Sequence, residues 1–155
     1  QNKTMTTFKT LRNNLKELIE SLDGIQEVHK RPTFKFRGFP AAFVVPSGNE
    51  ADFLTTNENQ RIYVLKVWLF TEYDQTTADA AYDELMDQTE NILNKIDEQE
   101  NPESDRTMAN NLAAPFTLVA VMATPGQMVP DEEEKLLAAE MTVKCKITVD
   151  LTQLT

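Results

Sequence analysis

The residue pattern predicts an α+β fold: a mixed, mainly antiparallel sheet with two amphipathic helices packed on one face. Three observations carry this. Two stretches are apolar at helical spacing, several others alternate with a period of two, and the order is helix, strands, helix, strands rather than a strict βαβ alternation. With 155 residues, 41% hydrophobic and 26% charged, residues 1–155 are read as a single domain with a sizeable core.

The first helix is expected over about 7–23. Phe8, Leu11, Leu15, Leu18, Ile19 and Leu22 recur at helical spacing, Thr6 or Thr7 is placed to cap the start, and Gly24 follows the last apolar residue. The second is expected over about 77–99, with the stripe Ala78, Tyr82, Leu85, Met86, Thr89, Ile92, Leu93 and Ile96. Thr76-Thr77-Ala78-Asp79 opens it, Asn101-Pro102 stops it, and its opposite face is almost wholly acidic.

Between the helices, residues 25–31 and 34–37 read as short strands. Residues 41–45 form a buried apolar run ended by Pro46-Ser47-Gly48, and 52–55 are a weak strand. Residues 60–73 form the best strand of the first half. Tyr63, Leu65, Val67 and Leu69 share one face, while Ile62, Val64, Trp68 and Phe70 share the other, interrupted only by Lys66. Such a strand must be central, or one of its faces must meet another subunit.

After the second helix come strands at 115–122 and 141–151. The latter alternates strictly, with Met141, Val143, Cys145, Ile147, Val149 and Leu151 inward and Thr142, Lys144, Lys146, Thr148 and Asp150 outward. Residues 123–135 are expected as a long loop, punctuated by Pro125-Gly126 and Pro130, and residues 101–111 as a second, polar loop. Leu15, Leu18 and Leu22 of the first helix, with Leu85, Ile92 and Ile96 of the second, should pack on the strands at 63–69 and 143–149.

Chemistry-bearing constellations are sparse. His29 is the one histidine and stands in no nucleophile or base motif, and Cys145 lies on an apolar strand face where a thiol stays protonated. Cys145 and His29 together do not make a zinc site, Cys145 has no internal disulfide partner, and the glycines are too scattered for a phosphate loop. The run Asp131 to Glu134 and the pair Asp83 and Asp87 offer oxygens, but without the spaced ligands and turn glycine of a calcium loop they read as solvated charge. No catalytic, cofactor-binding or metal-binding residue is therefore assigned. The apolar runs fall far short of the roughly 20 residues that span a bilayer, so no membrane partner is expected, and no signal peptide is read at the start.

Charge placement says more. The net charge is −10, which disfavours a sequence-independent grip on nucleic acid. Residues 1–37 hold eight bases and four acids, net +4, whereas residues 72–105 hold twelve acids and one base, net −11. Opposite charge at two ends suits contact between copies, with Arg12, Arg31 and Arg37 of one subunit approaching Asp79, Asp83 and Asp87 of the next.

The order of elements, including the Pro-bounded strand Phe39-Pro40-Ala41-Ala42-Phe43-Val44-Val45-Pro46, the long strand at 61–73 and the acidic helix, resembles the tail terminator or tail-completion proteins of long-tailed bacteriophages over nearly the whole chain. The resemblance implies a non-enzymatic virion protein without a cofactor. It forms a homo-oligomeric ring, usually a hexamer, that caps the tail tube and offers the head-to-tail joining surface. Its partners are then copies of itself, the tail tube protein, the head connector protein and genomic DNA passing through without specific binding. Its places are the virion tail or neck and, during assembly, the host cytoplasm. The docking role falls on the loops at 47–60 and 124–135, in the latter on Thr124, Gln127, Met128, Val129, Asp131, Glu132, Glu133 and Glu134. Alternatives are another neck or head-completion protein, or a small α+β ligand-binding domain or enzyme with a pocket lined by Trp68, Tyr63 and Tyr82.

Overall fold

The computed structural model describes residues 7–53, 58–100 and 107–153. Helix α1 (Thr7–Glu20) leads into the short strand β1 (Glu27–His29), then β2 (Ala41–Phe53), β3 (Glu58–Glu72), helix α2 (Ala78–Asp97), β4 (Phe116–Asp131) and β5 (Leu136–Asp150). The five strands form one sheet in the order β1-β2-β3-β5-β4. β1 runs parallel to β2 and every other pairing is antiparallel, so the sheet is mixed but mainly antiparallel.

Both helices pack on one face. α1 lies over β1 and β2, and α2 lies over β3, β5 and β4. Leu11, Leu15, Leu18 and Ile19 of α1, with Leu85, Ile92 and Ile96 of α2, meet Leu65, Val67 and Leu69 of β3 and Val143, Cys145, Ile147 and Val149 of β5 in one buried cluster, with Leu22 at its margin. The expected core is therefore the observed one. Burial holds the Cys145 thiol protonated, its pKa pushed up to about 12.

Several boundaries differ from expectation for identifiable reasons. α1 ends at Glu20 and not near residue 23, because Leu22 donates its N–H to the Ile19 carbonyl at 3.0 Å in a tightened turn. Thr77 occupies the N-cap of α2 without a side-chain cap bond. Instead, the Asp74 carboxylate accepts from the backbone N–H groups of Thr76 and Thr77 at 2.6 and 3.2 Å, and from the Thr76 hydroxyl at 2.6 Å. The Thr76 hydroxyl chiefly holds that carboxyl below its usual range.

Residues 34–37 form no strand, and residues 25–31 contribute only the three residues of β1. Pro46 does not end β2, because a register shift between Pro46 and Gly48 absorbs it and pairing with β3 continues to Phe53. The expected loop 47–60 is thus two strand arms, with residues 54–57 outside those described. The weak strand at 52–55 is the end of β2 at Asp52 and Phe53, and its remainder also lies outside the described residues. Of the polar loop 101–111, residues 101–106 lie outside them, as does Thr6. Its described remainder begins with the 3-10 turn Thr107–Ala109.

The largest correction concerns residues 123–135. They are not a long loop: β4 continues to Asp131 and pairs with β5 almost to the turn, where Asp131 sits opposite Leu136. Pro125 is accommodated by a register shift between Pro125 and Met128. A Cβ on Gly126 would sit 3.0 Å from the Glu140 carbonyl oxygen, so glycine lets the strands close there.

Candidate functional site

Three surfaces of the described residues differ in chemistry from the rest. The first is basic and lies at the β1 edge. Arg12 and Lys16 of α1, with Lys30 and Arg31 after β1, line a groove of about 400 Å³. Arg31, Lys35 and Arg37 line a neighbouring concavity of about 630 Å³ that shares His29. Arg12 donates to the Asn13 side-chain oxygen through Nε at 3.3 Å and Nη2 at 3.1 Å, and Lys16 pairs with Glu20 at 2.8 Å. The structure thus brings the three expected arginines to one end of the molecule.

Glu27 organises this end. Its Oε2 accepts the backbone N–H groups of Arg37 and of Gly38, the latter at 2.7 Å, and its Oε1 lies 2.9 Å from His29 Nε2. The Gly38 N–H is the main reason the Glu27 carboxyl titrates below 4.5, with His29 and Arg37 adding to the shift. The carboxylate ties β1 to the strap formed by residues 30–39.

The second surface is the acidic face of α2. Asp79, Asp83 and Asp87 are exposed at successive four-residue intervals, so they share one face of the helix, with exposed Glu84 and Glu90 nearby. The basic residues lie on α1 and around β1 and the acidic ones on α2, which packs against α1 and over β3, β5 and β4; among the described residues no ion pair joins Arg12, Arg31 or Arg37 to Asp79, Asp83 or Asp87. Among the described residues, no three His, Cys, Asp or Glu side chains converge as metal ligands.

The third surface is the sheet face opposite the helices. Phe43 of β2, Phe70 of β3 and Leu136 of β5 form a second buried cluster, joined by Phe36, Phe39, Val45, Trp68 and Ala138. Phe34 meets Phe43 and Phe70 edge-on, at 6.4 and 5.8 Å between ring centroids, yet stays 59% exposed. An apolar pocket of about 260 Å³ opens there, lined by Phe34, Phe43, Trp68, Phe70, Val129, Asp131, Leu136 and Ala138. Sequence reasoning missed it, although the apolar second face of the strand at 60–73 was the available signal.

Of the expected docking residues, Thr124, Gln127 and Asp131 are exposed on β4, and Glu132, Glu133 and Glu134 are exposed in the turn. Asp131 shapes that turn by accepting the N–H groups of Glu133 and Glu134, both at 3.1 Å. Met128 and Val129, expected to dock together, point to opposite faces of the sheet. Strand alternation turns Met128 into the helix-side core and Val129 outward to the pocket. Trp68, Tyr63 and Tyr82 do not line one pocket either, since Tyr63 and Tyr82 belong to the helix-side core and Trp68 to the opposite face.

No family model and no curated protein matches this chain. Among solved structures it is similar to a chain described as the virion of a native gene transfer agent (GTA) particle, with a TM-score of 0.50 and 9% identity over 92% of this chain and 91% of that one. At that identity the likeness establishes a shared α+β fold along nearly the whole chain.

Proposed function

We propose that this chain is a virion assembly protein of the tail terminator or tail-completion type. Copies form a ring that caps the tail tube and receives the head connector, with no catalytic step. The observation that carries the reading is the near end-to-end sharing of fold with a chain of a gene transfer agent virion.

The charge layout supports the ring. A contact between the Arg12, Arg31 and Arg37 end and the Asp79, Asp83 and Asp87 face is heterologous, and heterologous contacts close into rings when the rotation allows. The outer edge strand β4 has two register shifts and carries Pro125 and Pro130, features that oppose strand-to-strand addition. Side chains, not backbone ladders, would then join neighbours. A net charge of −10 favours passage of DNA through a ring without adhesion. The exposed turn at Glu132, Glu133 and Glu134 is the proposed docking point for tube or connector.

Electron microscopy of the purified chain, with mass measurement by light scattering, tests the reading. Rings of about six subunits with a central opening are expected. Monodisperse particles without an opening at all concentrations would overturn it.

A further inference from the structure

Acids outnumber bases in this chain by 25 to 15, yet five bases around the β1 edge, Arg12, Lys30, Arg31, Lys35 and Arg37, take part in no ion pair among the described residues. The acids beside them are already engaged. Glu20 holds Lys16 at 2.8 Å, and Glu27 is taken up by His29 and by the N–H groups of Arg37 and Gly38. Like charges gathered on one surface repel one another, and an anionic surface laid over them relieves that repulsion. The groove of about 400 Å³ is lined by Arg12 and Lys16, one turn apart on α1, and by Val28, His29, Lys30 and Arg31 from β1 and the start of the strap. Buried Val28 is its apolar member.

Helix α2 carries the complement. Asp79, Asp83, Met86 and Glu90 stand at i, i+4, i+7 and i+11, so they share one exposed face about 16 Å long, with exposed Asp87 beside it. None of these four acids forms an ion pair among the described residues. Met86 is the one large apolar side chain of α2 that is exposed, at 48%. Toward α1 of its own subunit the helix turns Ile92, Lys95 and Ile96, which meet Leu18, Ile19 and Leu22. The helical repeat places the Asp83–Met86–Glu90 face on the far side from Lys95, turned away from its own α1 and open to another copy.

We infer that α2 of one copy lies across the basic groove of the next, with Met86 entering it between Arg12, Lys16 and Val28 and with Asp83, Asp87 and Glu90 set against Arg12, Lys30 and Arg31. The inference rests on the ring reading and deepens it, giving the contact between copies an apolar anchor and a receiving groove. Met suits that groove because its unbranched side chain adapts to irregular walls, and the alkyl stems of Arg12 and Lys16 supply apolar lining below their charged heads. Neither surface is matched by its own image, since bases would face bases and acids would face acids. The contact is therefore between unlike surfaces, and each copy that gives its helix to one neighbour keeps its groove for another.

The test measures mass by sedimentation on the intact chain from low to high micromolar concentration. Met86→Ala should raise the concentration of half-assembly about tenfold with an unchanged circular dichroism spectrum, while Met86→Leu should stay near the parent. Asp83→Lys with Asp87→Lys should abolish assembly, as should Arg12→Glu with Arg31→Glu. Mixed in equal amounts, these two variants should assemble again, because the groove of the first takes the helix of the second and the reversed surfaces match each other. Rings that are indifferent to Met86→Ala and to Arg12→Glu with Arg31→Glu overturn the inference and leave the ring reading standing. So does a groove reversal that spares assembly but abolishes binding of a short DNA duplex, which would assign the groove to nucleic acid. A mixture of the two variants that stays monomeric also overturns the inference. Met86-dependent dimers that never grow larger support the contact and overturn the ring reading alone, and a chain that is monomeric at every concentration overturns both.

Discussion

Asn14, on the buried face of α1, donates its side-chain amide to the Met108 carbonyl at 3.0 Å, joining two residues 94 positions apart. The same amide reaches the Asn110 carbonyl at 2.7 Å, and the Met108 N–H is taken by Gln99 Oε1 at 3.0 Å, so the 3-10 turn Thr107–Ala109 is clasped between α1 and the 3-10 turn Glu98–Glu100 that follows α2. Asn14→Ala strands the buried Met108 carbonyl and should cost about 1–3 kcal/mol, read from urea denaturation midpoints. A loss below the error of the fit would show that the clasp is not needed.

Leu85 is fully buried in α2, within the cluster that contains β3 and β5. Leu85→Ala removes side-chain volume the surroundings refill only in part and should cost about 2–5 kcal/mol. Met86, its neighbour, is 48% exposed, so Met86→Ala should change the thermal midpoint little by comparison. Equal losses for the two would mean that α2 is rotated from the orientation described.

The Glu27 carboxyl titrates below its ordinary value of 4.5, chiefly through the Gly38 N–H. A depressed folded pKa adds stability that is fully present above the unfolded value and is lost as pH falls through the folded one. Glu27→Gln should therefore destabilise the chain at pH 7, and the difference from the parent should shrink as pH is lowered below 4.5. A constant difference in thermal midpoints down to pH 2–3 would remove the charge from the account of the strap.

The proposed ring contact should depend on salt. Surface ion pairs contribute about 0–1 kcal/mol each, so they steer assembly while apolar contact holds it. Higher oligomers should weaken in 0.5–1 M sodium chloride, where screening cuts the reach of charge to a few ångströms, and on Asp83→Lys with Asp87→Lys. Light scattering that shows the same mass under both treatments would leave the charge on α2 a solubility feature.

Docking at the hairpin is best tested on the turn alone, because β4 extends to Asp131 and Met128 packs in the core. Glu132→Ser, Glu133→Ser and Glu134→Ser together should leave the thermal midpoint within a few degrees, since exposed turn residues contribute little to stability. In a head-to-tail joining assay with the parent particle the triple variant should fail. Normal joining would show that these acids are dispensable.

Local periodicity by itself determined α1, α2 and the part of β5 from Met141 to Val149, because the 3.6- and 2-residue repeats of Leu11, Leu15 and Leu18, of Leu85, Ile92 and Ile96, and of Val143, Cys145 and Ile147 each demand one burial geometry, while the start of β5 at Leu136 and the 3-10 turn that takes Leu151 were not read from it. The charge division was equally legible, since it depends only on composition along the chain. Tertiary structure alone decided the fate of the prolines. Pro46 and Pro125 punctuate the sequence as breaks, yet cross-strand pairing continues past both through register shifts that no local window contains. It also decided the strap, where Phe34 and Phe36 resemble strand residues but share a partner in Phe70, which lies far along the chain. The three arginines met at one edge for the same reason: the parallel docking of β1 on β2 places the start of the strap beside α1, and a parallel pairing leaves no turn signal in the sequence.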